Sequence, residues 1–570
     1  MTSRHLAGRR TRVVLVGGVG LLVLGTGAAL AQPGHGRPAS THDFRPVADS
    51  FSGRGTVTGN VLRNDHGATA VARTTTPSHG SVSMNADGTF TYTPSAGFHG
   101  MDSFTYTASD AVRLYRDTTA HGAPLPPLAT VPGPNGTTTS ISAEGFGSSL
   151  APVPHRRGWF YGLTDRGPNA DDPLGNKSEP LPDFTPEIGE FRLVHGKAEL
   201  RKTITLKGPK NVEGPAGTYG QPYSGRPPGP DTNETIDDVA ESHGDVGVPV
   251  ADDPDGYDSE GLVALPDGSF WVSDEYGPYV THFDARGYEI GRLTPDRTSP
   301  NNAFHKIVGY LPAELADRIN NKGMEGLTIT PDGSTLVGAM QSALQLPDLG
   351  STKASKVAVT RIVTINLRTY RTRQYLYLLD DPATTGDAVS EITALSNTRF
   401  LVDERDGNFE PFANKTLYEV DLDGATDVSG LTIDGKSPEA FVGTDDTDAA
   451  LTALTAAGVH VAQKQPYLQV GSLVSQLDPS GAFFGHDKVE GVATTDGGRT
   501  LFLSNDDDFG IDYIGDNGDS DPTPDADGTW GVHQKTLPGT GAEDDGEILQ
   551  VDTTKLPVVL KTATVTVHVR

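Results

Sequence analysis

Cysteine is absent from this chain, which excludes disulfides, thiolate metal centres and a cysteine nucleophile. Aromatic residues are also sparse at 7%, whereas 68 Gly and 41 Pro are spread over 570 residues. That balance favours many short strands and turns over long helices, an all-β protein, and the length suits two domains. Bases are outnumbered: 45 Lys and Arg stand against 74 Asp and Glu, for a net charge of −29. Clustered cations are what hold a phosphate backbone, so the composition argues against a nucleic-acid partner. No G-x-S-x-G elbow, H-E-x-x-H zinc motif or Walker loop is present, which leaves a serine hydrolase, a zincin or a P-loop enzyme without support.

Only one apolar run is long, at 13–30, and it sits behind Arg4, Arg9, Arg10 and Arg12. Ala29-Leu30-Ala31 closes it as a small-x-small cleavage site. Residues 1–31 therefore read as a signal peptide for Sec or twin-arginine export, which predicts a secreted protein with no stable membrane span after cleavage. A Pro/Gly/His linker follows at 32–42.

Beyond 140 one pattern recurs: an acid usually followed by Gly, an apolar run, a turn, a second apolar run, then more acids. It appears at 142–169, 258–278, 323–342, 389–407 and 488–510. Two strands and a tight turn, repeated at unequal intervals, predict a β-propeller whose blades carry insertions. Six blades are favoured, with five or seven also compatible. In such a blade the start of the innermost strand and the end of the next share one face. Glu144, Glu260, Glu325, Glu391 and Glu490 are thus expected on the same rim as Asp165, Asp274, Glu275, Asp403, Glu404, Asn505 and Asp506. The clearest blade is 260–293, with a turn at Pro266-Asp267-Gly268. Strands at 547–552 and 558–569 are expected to close the ring against the first blade. Helix signals are limited to 312–320 and 449–457.

Residues 43–111 alternate differently, with a hairpin expected from Gly80-Ser81-Val82-Ser83-Met84 and Thr89-Phe90-Thr91-Tyr92-Thr93 around Asn85-Ala86-Asp87-Gly88. This segment resembles bacterial cadherin-like or Ig-like tandem-repeat modules, sharing their N-D, P-x-H-G, D-G-x-F-x-Y-x-P and D-S-F-x-Y elements. The resemblance implies a β-sandwich acting as a spacer or as a contact to cell surface or matrix. Residues 112–140 read as linker and domain entry, and 141–570 as the propeller.

The strings SEGLVALPDGSFWVSDEYGP, GMEGLTITPDGSTL, FLVDERDGN and KVEG…LFLSNDDDFG resemble the phytase-like family, often labelled "esterase-like activity of phytase". The resemblance implies a phosphoesterase or esterase activity. For the rim acids, calcium is the suspected cofactor, since it takes six to eight hard oxygen ligands and so many carboxylates repel one another without cations. Its expected ligands are Glu144, Asp165, Asp274, Glu275, Glu391, Asp403, Glu404, Asn505 and Asp506. Any single Glu serves equally well to cap its strand. Glu260, Glu325 and Glu490 are the candidate catalytic carboxylates, orienting or deprotonating a metal-activated water. Arg166, Lys322, Arg405 and Lys488, with Gln341, are the candidate substrate-binding groups because cations grip phosphate oxygens; an inter-blade salt-bridge network needs the same residues.

The expected activity is calcium-dependent hydrolysis of a small phosphoester, alternatives being a lactonase or carboxylic-ester hydrolase and a non-catalytic binding propeller. Asp252–Asp258 and the acid-rich stretch at 516–528 are secondary cation candidates, the latter lacking the terminal Glu of a calcium loop.

Overall fold

The computed structural model describes residues 44–171, 177–215, 217–228, 236–237, 250–410, 413–515 and 531–570. The expected signal peptide, the linker after it and the 516–528 stretch lie outside the described residues. Among those described, no helix is long and apolar enough to cross a membrane.

Among the described residues five blades form the large domain, rather than the six favoured above, each with four strands and the second with a fifth, parallel strand at Ile307–Tyr310. Blade 1 runs Ser149–Pro152, Trp159–Leu163, Glu187–Val194 and Lys197–Thr205. Blade 2 is Ser259–Ala264, Phe270–Asp274, Val280–Phe283 and Glu289–Thr294, close to the boundaries expected from its turn residues. Blade 3 comprises Met324–Ile329, Thr335–Met340, Val359–Asn366 and Thr372–Leu378. In blade 4 the strands are Ala388–Ala394, Arg399–Arg405, Lys415–Asp421 and Gln463–Gln469. Blade 5 has Val489–Thr494, Thr500–Asn505 and Glu547–Asp552 from the end of the domain and Val112–Thr119 from its beginning. Each innermost strand touches the next, and the fifth touches the first. The repeats number five because the long insertions contribute covering helices and loops instead of a further blade.

Ring closure corrects two expectations. Val112–Thr119, read above as linker, is the outermost strand of blade 5: it pairs antiparallel with Glu547–Asp552 and parallel with Lys197–Thr205 of blade 1. The last strand, Leu560–Val569, does not pair with a blade. It inserts between Asp49–Gly53 and Gly100–Ser109 of the amino-terminal module. Its alternating Val565, Val567 and Val569 join Phe44, Phe90, Tyr92, Phe104 and Tyr106 in that module's core. The expected hairpin is present there, Gly80–Met84 against Thr89–Pro94, with Gly88 at φ +82 in its turn.

This module packs on the propeller. Ala70 and Ala72 share a cluster with Leu114 of blade 5 and with Leu473 and Leu477 of the helix Val470–Leu477, and Arg73 donates to the Leu477 carbonyl at 3.1 Å. That helix, rich in apolar residues on one side, directly follows the last strand of blade 4, and the segment before that strand is an insertion. Two more, Pro438–Val442 and Thr447–Ala456, lie in that insertion, the second at the expected place. The other expected helix shrinks to a 3-10 turn at Ala313–Asp317.

Candidate functional site at the propeller mouth

Four blades carry a β-bulge where the innermost strand begins, and the bulge decides which side chains reach the mouth. Register shifts fall between Ser259 and Leu262, Met324 and Gly326, Val389 and Glu391, and Val489 and Gly491. The bulged residues include Glu260, Glu325 and Glu490, each directly followed by Gly. A Cβ at Gly261 would sit 2.4 Å from the Leu327 nitrogen, at Gly326 2.4 Å from that of Ile392, and at Gly491 2.9 Å from that of Leu150. Neighbouring inner strands therefore approach too closely for a side chain at the Gly, and the Glu before it is turned outwards to the mouth.

The same register separates Glu391 from this set. Val389 pairs with Glu404 and Glu391 with Asp403, so Glu391 occupies the position of Gly326, and Ser390 that of Glu325. Its side chain turns into the channel, where it accepts from the Ser149 hydroxyl at 2.6 Å and the Leu327 and Ile392 amides at 3.2 and 2.8 Å. Glu144 lies outside any strand and accepts from the Gly546 amide at 2.9 Å. Neither is a mouth ligand.

A second tier comes from the end of each second strand: Arg405 is the last residue of its strand, Glu275, Gln341 and Asp506 stand one residue beyond theirs, and Asp165 two beyond. Asp165, Glu275, Gln341, Arg405 and Asp506 all line the mouth cavity, of about 390 Å³, together with Glu260, Glu325 and Glu490. Side chains alternate along a strand, so the residues one step earlier point away. Asp274 accepts from the Asp258 and Gly277 amides, both at 2.8 Å. Glu404 takes Lys464 and Tyr377, and Asn505 accepts from the Glu547 amide at 2.8 Å. Asp403 is buried beneath the rim, and burial first, against the pull of Arg405 and Lys415, pushes its carboxyl up to about 8. Of these four expected metal ligands none lines the cavity, and Asp274, Glu404 and Asn505 are engaged by the neighbouring groups named.

Every expected substrate-binding group lines the cavity, each with a neighbour. Arg166 approaches Asp258 at 3.7 Å, Lys322 donates to Gln341 at 2.6 Å, Gln341 donates to Glu325, Arg405 pairs with Glu490, and Lys488 pairs with Asp508. Several further lining groups were not singled out from the sequence as site residues, among them Asp258, Asp487, Asp508 and Lys535. The first closes the acidic run at 252–258, and Asp508 belongs to the triplet after Asn505, so both carried a signal. Lys535 carried none. It comes from an insertion and bridges Asp487 at 2.7 Å, Asp508 at 2.5 Å and Asp544 at 3.3 Å.

The mouth remains acidic after this pairing, with eleven carboxylates around it and six Lys or Arg. Burial first, then Glu325 and Asp258, holds Glu260 well above the usual carboxylate range; burial and Glu275 do the same for Glu325. Asp165 is raised by burial and Asp506, and Asp506 itself rises to about 7 through burial and Asp508. Asp508 moves down, because Lys488 and Lys535 overcome its burial. Oxygens of Asp258, Glu260 and Glu275 lie within 4.8 Å of one another, all three residues buried. Three hard, closely set oxygens in a buried acidic cavity match the donor set of calcium or magnesium and not that of a soft metal.

Residues 142–509 match the family described as esterase-like activity of phytase, and 43–121 match the bacterial Ig domain. The chain belongs to the phytase-like family. Within that family match lie all three bulge glutamates and the whole second tier. An uncharacterized secreted protein of Arthroderma benhamiae is 35% identical over 202 residues, covering 28% of this chain and 39% of the relative, so the chain spans about two fifths of that protein's length. Likeness to solved structures is distant. The α-L-arabinofuranosidase from Lactobacillus brevis gives a TM-score of 0.27 at 13% identity, over 71% of this chain and 95% of the other. Virginiamycin B lyase from Staphylococcus aureus gives 0.23 at 11%, over 87% and 98%.

Proposed function

We propose that this phytase-like propeller is an extracellular hydrolase whose mouth binds calcium and cleaves a small phosphoester. The observation that carries the reading is the Asp258, Glu260 and Glu275 triad inside a cavity where acids exceed bases. Carboxylates so placed are costly unless a cation joins them. Bound calcium would polarise a phosphoryl oxygen and acidify a water.

The chain's own residues supply the rest. Glu325, whose carboxyl burial and the neighbouring Glu275 hold well above the usual carboxylate range, would take the proton of the attacking water, and Gln341, held by Lys322, orients it. Arg166 and Arg405, which line the cavity, would meet anionic oxygens of the substrate by exchanging their carboxylate partners for it. Secretion is supported by the signal-like amino terminus and by the secreted relative.

Because each rim base already has a carboxylate or amide partner, hydrolysis of an uncharged carboxylic ester is the second reading. The purified chain should be assayed on 4-nitrophenyl phosphate and 4-nitrophenyl acetate, in calcium and in chelator, beside the Glu260→Gln/Glu275→Gln variant. Phosphate release that needs calcium and is lost in the variant, with the fold intact, is the expected result. Turnover of acetate alone supports the second reading, and turnover of neither leaves a binding propeller.

A further inference from the structure

Two of the six bases at the mouth converge on a single anion. Asp508 gives one carboxylate oxygen to Lys488 and the other to Lys535, the latter at 2.5 Å, and all three residues line the cavity. The other acids near the two ammonium groups stand farther off: Asp506 is 3.4 Å from Lys488, and Asp487 and Asp544 are 2.7 and 3.3 Å from Lys535. Asp544 is also held by His486, at 2.5 Å. The Lys535 side chain is 3% exposed and that of Lys488 31%, so the pair is fixed on one side and open to the cavity on the other.

The shared acid stands on a turn, whereas Glu490, the partner of Arg405, belongs to an inner strand. Asp508 opens the 3-10 turn Asp508–Gly510 with φ +49, and Phe509 follows at φ +55, a left-handed backbone that non-glycine residues adopt only where packing holds them there. Here the packing is Phe509 itself, buried in a cluster with Ile511 and Val532 and edge-on to Phe184. Asp506 accepts from the Asp508 amide and Asp507 from the Phe509 amide, both at 3.0 Å. The turn is thus anchored while the Asp508 carboxylate is free to leave the lysines by rotation about its Cα–Cβ bond, with no strand displaced.

We infer that Lys488 and Lys535 form the subsite for the phosphoryl group of a phosphomonoester, and that Asp508 is its internal stand-in, displaced when the substrate binds. The inference rests on the reading of the mouth as a phosphoester site. A carboxylate offers the two ammonium groups one charge and two oxygens, whereas the phosphoryl group of a monoester offers close to two charges and three oxygens. Exchange therefore favours the monoester, and a diester, with a single charge, gains little. Burial of the Asp508 carboxyl is outweighed by Lys488 and Lys535, which hold it well below the usual range and keep it charged between them. Without substrate it also relieves the repulsion between the two lysines.

Calorimetric titration of inorganic phosphate and of dimethyl phosphate, a monoanion, into the full chain in calcium tests it. Wild type should bind phosphate about tenfold or more tightly than dimethyl phosphate, the scale of one charge-assisted hydrogen bond. Asp508→Asn suits the left-handed backbone and removes the competing charge, so it should tighten phosphate binding by about tenfold or more. Asp508→Gly, at ease in the same backbone, should repeat the gain should Asp508→Asn fail to fold. Adding Lys488→Gln to Asp508→Asn should abolish it. Equal affinity of wild type for the two probes, no gain in either Asp508 variant, or a gain that survives Lys488→Gln overturns the inference. Binding is read here without turnover, so a chain that shows the gain but hydrolyses neither nitrophenyl compound keeps the subsite and loses the proposed catalysis.

Discussion

The Ser149 hydroxyl donates to Glu391 at 2.6 Å and so joins blades 1 and 4, which are not neighbours in the ring. Ser149 also accepts from the Leu262 amide of blade 2 at 3.1 Å, while Glu391 accepts from Leu327 of blade 3. Two side chains therefore tie four blades at the axis, directly under the mouth. Burial holds the Glu391 carboxyl well above its usual range even though it accepts from Ser149 and two amides.

Glu391→Gln keeps the acceptor for the two amides and is expected to change stability by less than about 1.5 kcal/mol, the scale of one hydrogen bond. Glu391→Ala leaves both amides unsatisfied and opens space at the axis, so roughly 2–4 kcal/mol should be lost. Denaturant unfolding of both variants checks this. Calcium stoichiometry should be unaffected in Glu391→Gln, which separates the structural role from the metal-ligand role first assigned to it.

That misassignment shows where sequence patterns stop. The turn Pro266-Asp267-Gly268 and the apolar runs around it set the strands of blade 2 almost to the residue, because a hairpin is local. Glu391 follows Val-Ser where its counterparts follow one residue, and a one-residue slip sends a strand side chain to the other face. The closing strand at 112–119 and the strand at 560–569 were misplaced for a different reason: their partners are hundreds of residues away, and nothing local records the pairing. Lys535 reaches the mouth in the same non-local way.

The Ig-like module depends on the carboxy terminus. Removing 560–570 takes away the strand between Asp49–Gly53 and Gly100–Ser109 and strips Val565, Val567 and Val569, each at most 2% exposed, from the core. Burial of a Val is worth about 1.5–3 kcal/mol, so the three together exceed what a small module has to spare. The truncated chain is expected to be cleaved rapidly by protease within 44–111, a region that resists in the full chain; equal resistance counts against the pairing.

Stability in chelator should fall as pH rises from about 4 to 8. Asp506 titrates at about 7 instead of 3.8, Asp403 at about 8 instead of 3.8, and Glu144 at about 8 instead of 4.5, each mainly through burial. Between the unfolded and folded values the native state binds more protons than the unfolded chain, so raising the pH favours unfolding. His486, raised to about 9 because Asp544 outweighs its burial, adds to the decline above pH 6.5. Calcium bound in the mouth should flatten the curve for Asp506 by replacing its lost proton, and leave the Asp403 and Glu144 parts in place. Melting temperatures across this range, with and without calcium, supply the check.

Glu325→Gln is the sharpest probe of the proposed chemistry. The amide retains the shape of the side chain beside Gln341 and removes its basicity, and a general base typically contributes a hundredfold or more. Turnover should fall by about that factor, with the Michaelis constant little changed. Full activity in this variant would move the base elsewhere in the mouth.

Arg405 separates binding from architecture. It is the partner of Glu490, the side chains being 14% and 10% exposed, and burial of the guanidinium is outweighed by Glu490, which holds it charged. Arg405→Ala leaves Glu490 without that partner among ten other acids, and breaking a buried pair costs about 3–5 kcal/mol. In chelator the variant should be destabilised by that order, whereas calcium, drawn to the freed carboxylate, should restore a large part. If Arg405 also meets substrate, the Michaelis constant for a phosphoester rises more than turnover falls, while that for an uncharged ester stays put. Arg405→Lys keeps the charge and loses the bidentate fork, so it should recover the stability and only part of the phosphoester binding. A variant whose two Michaelis constants rise together would confine Arg405 to its pairing with Glu490 and remove it from substrate recognition.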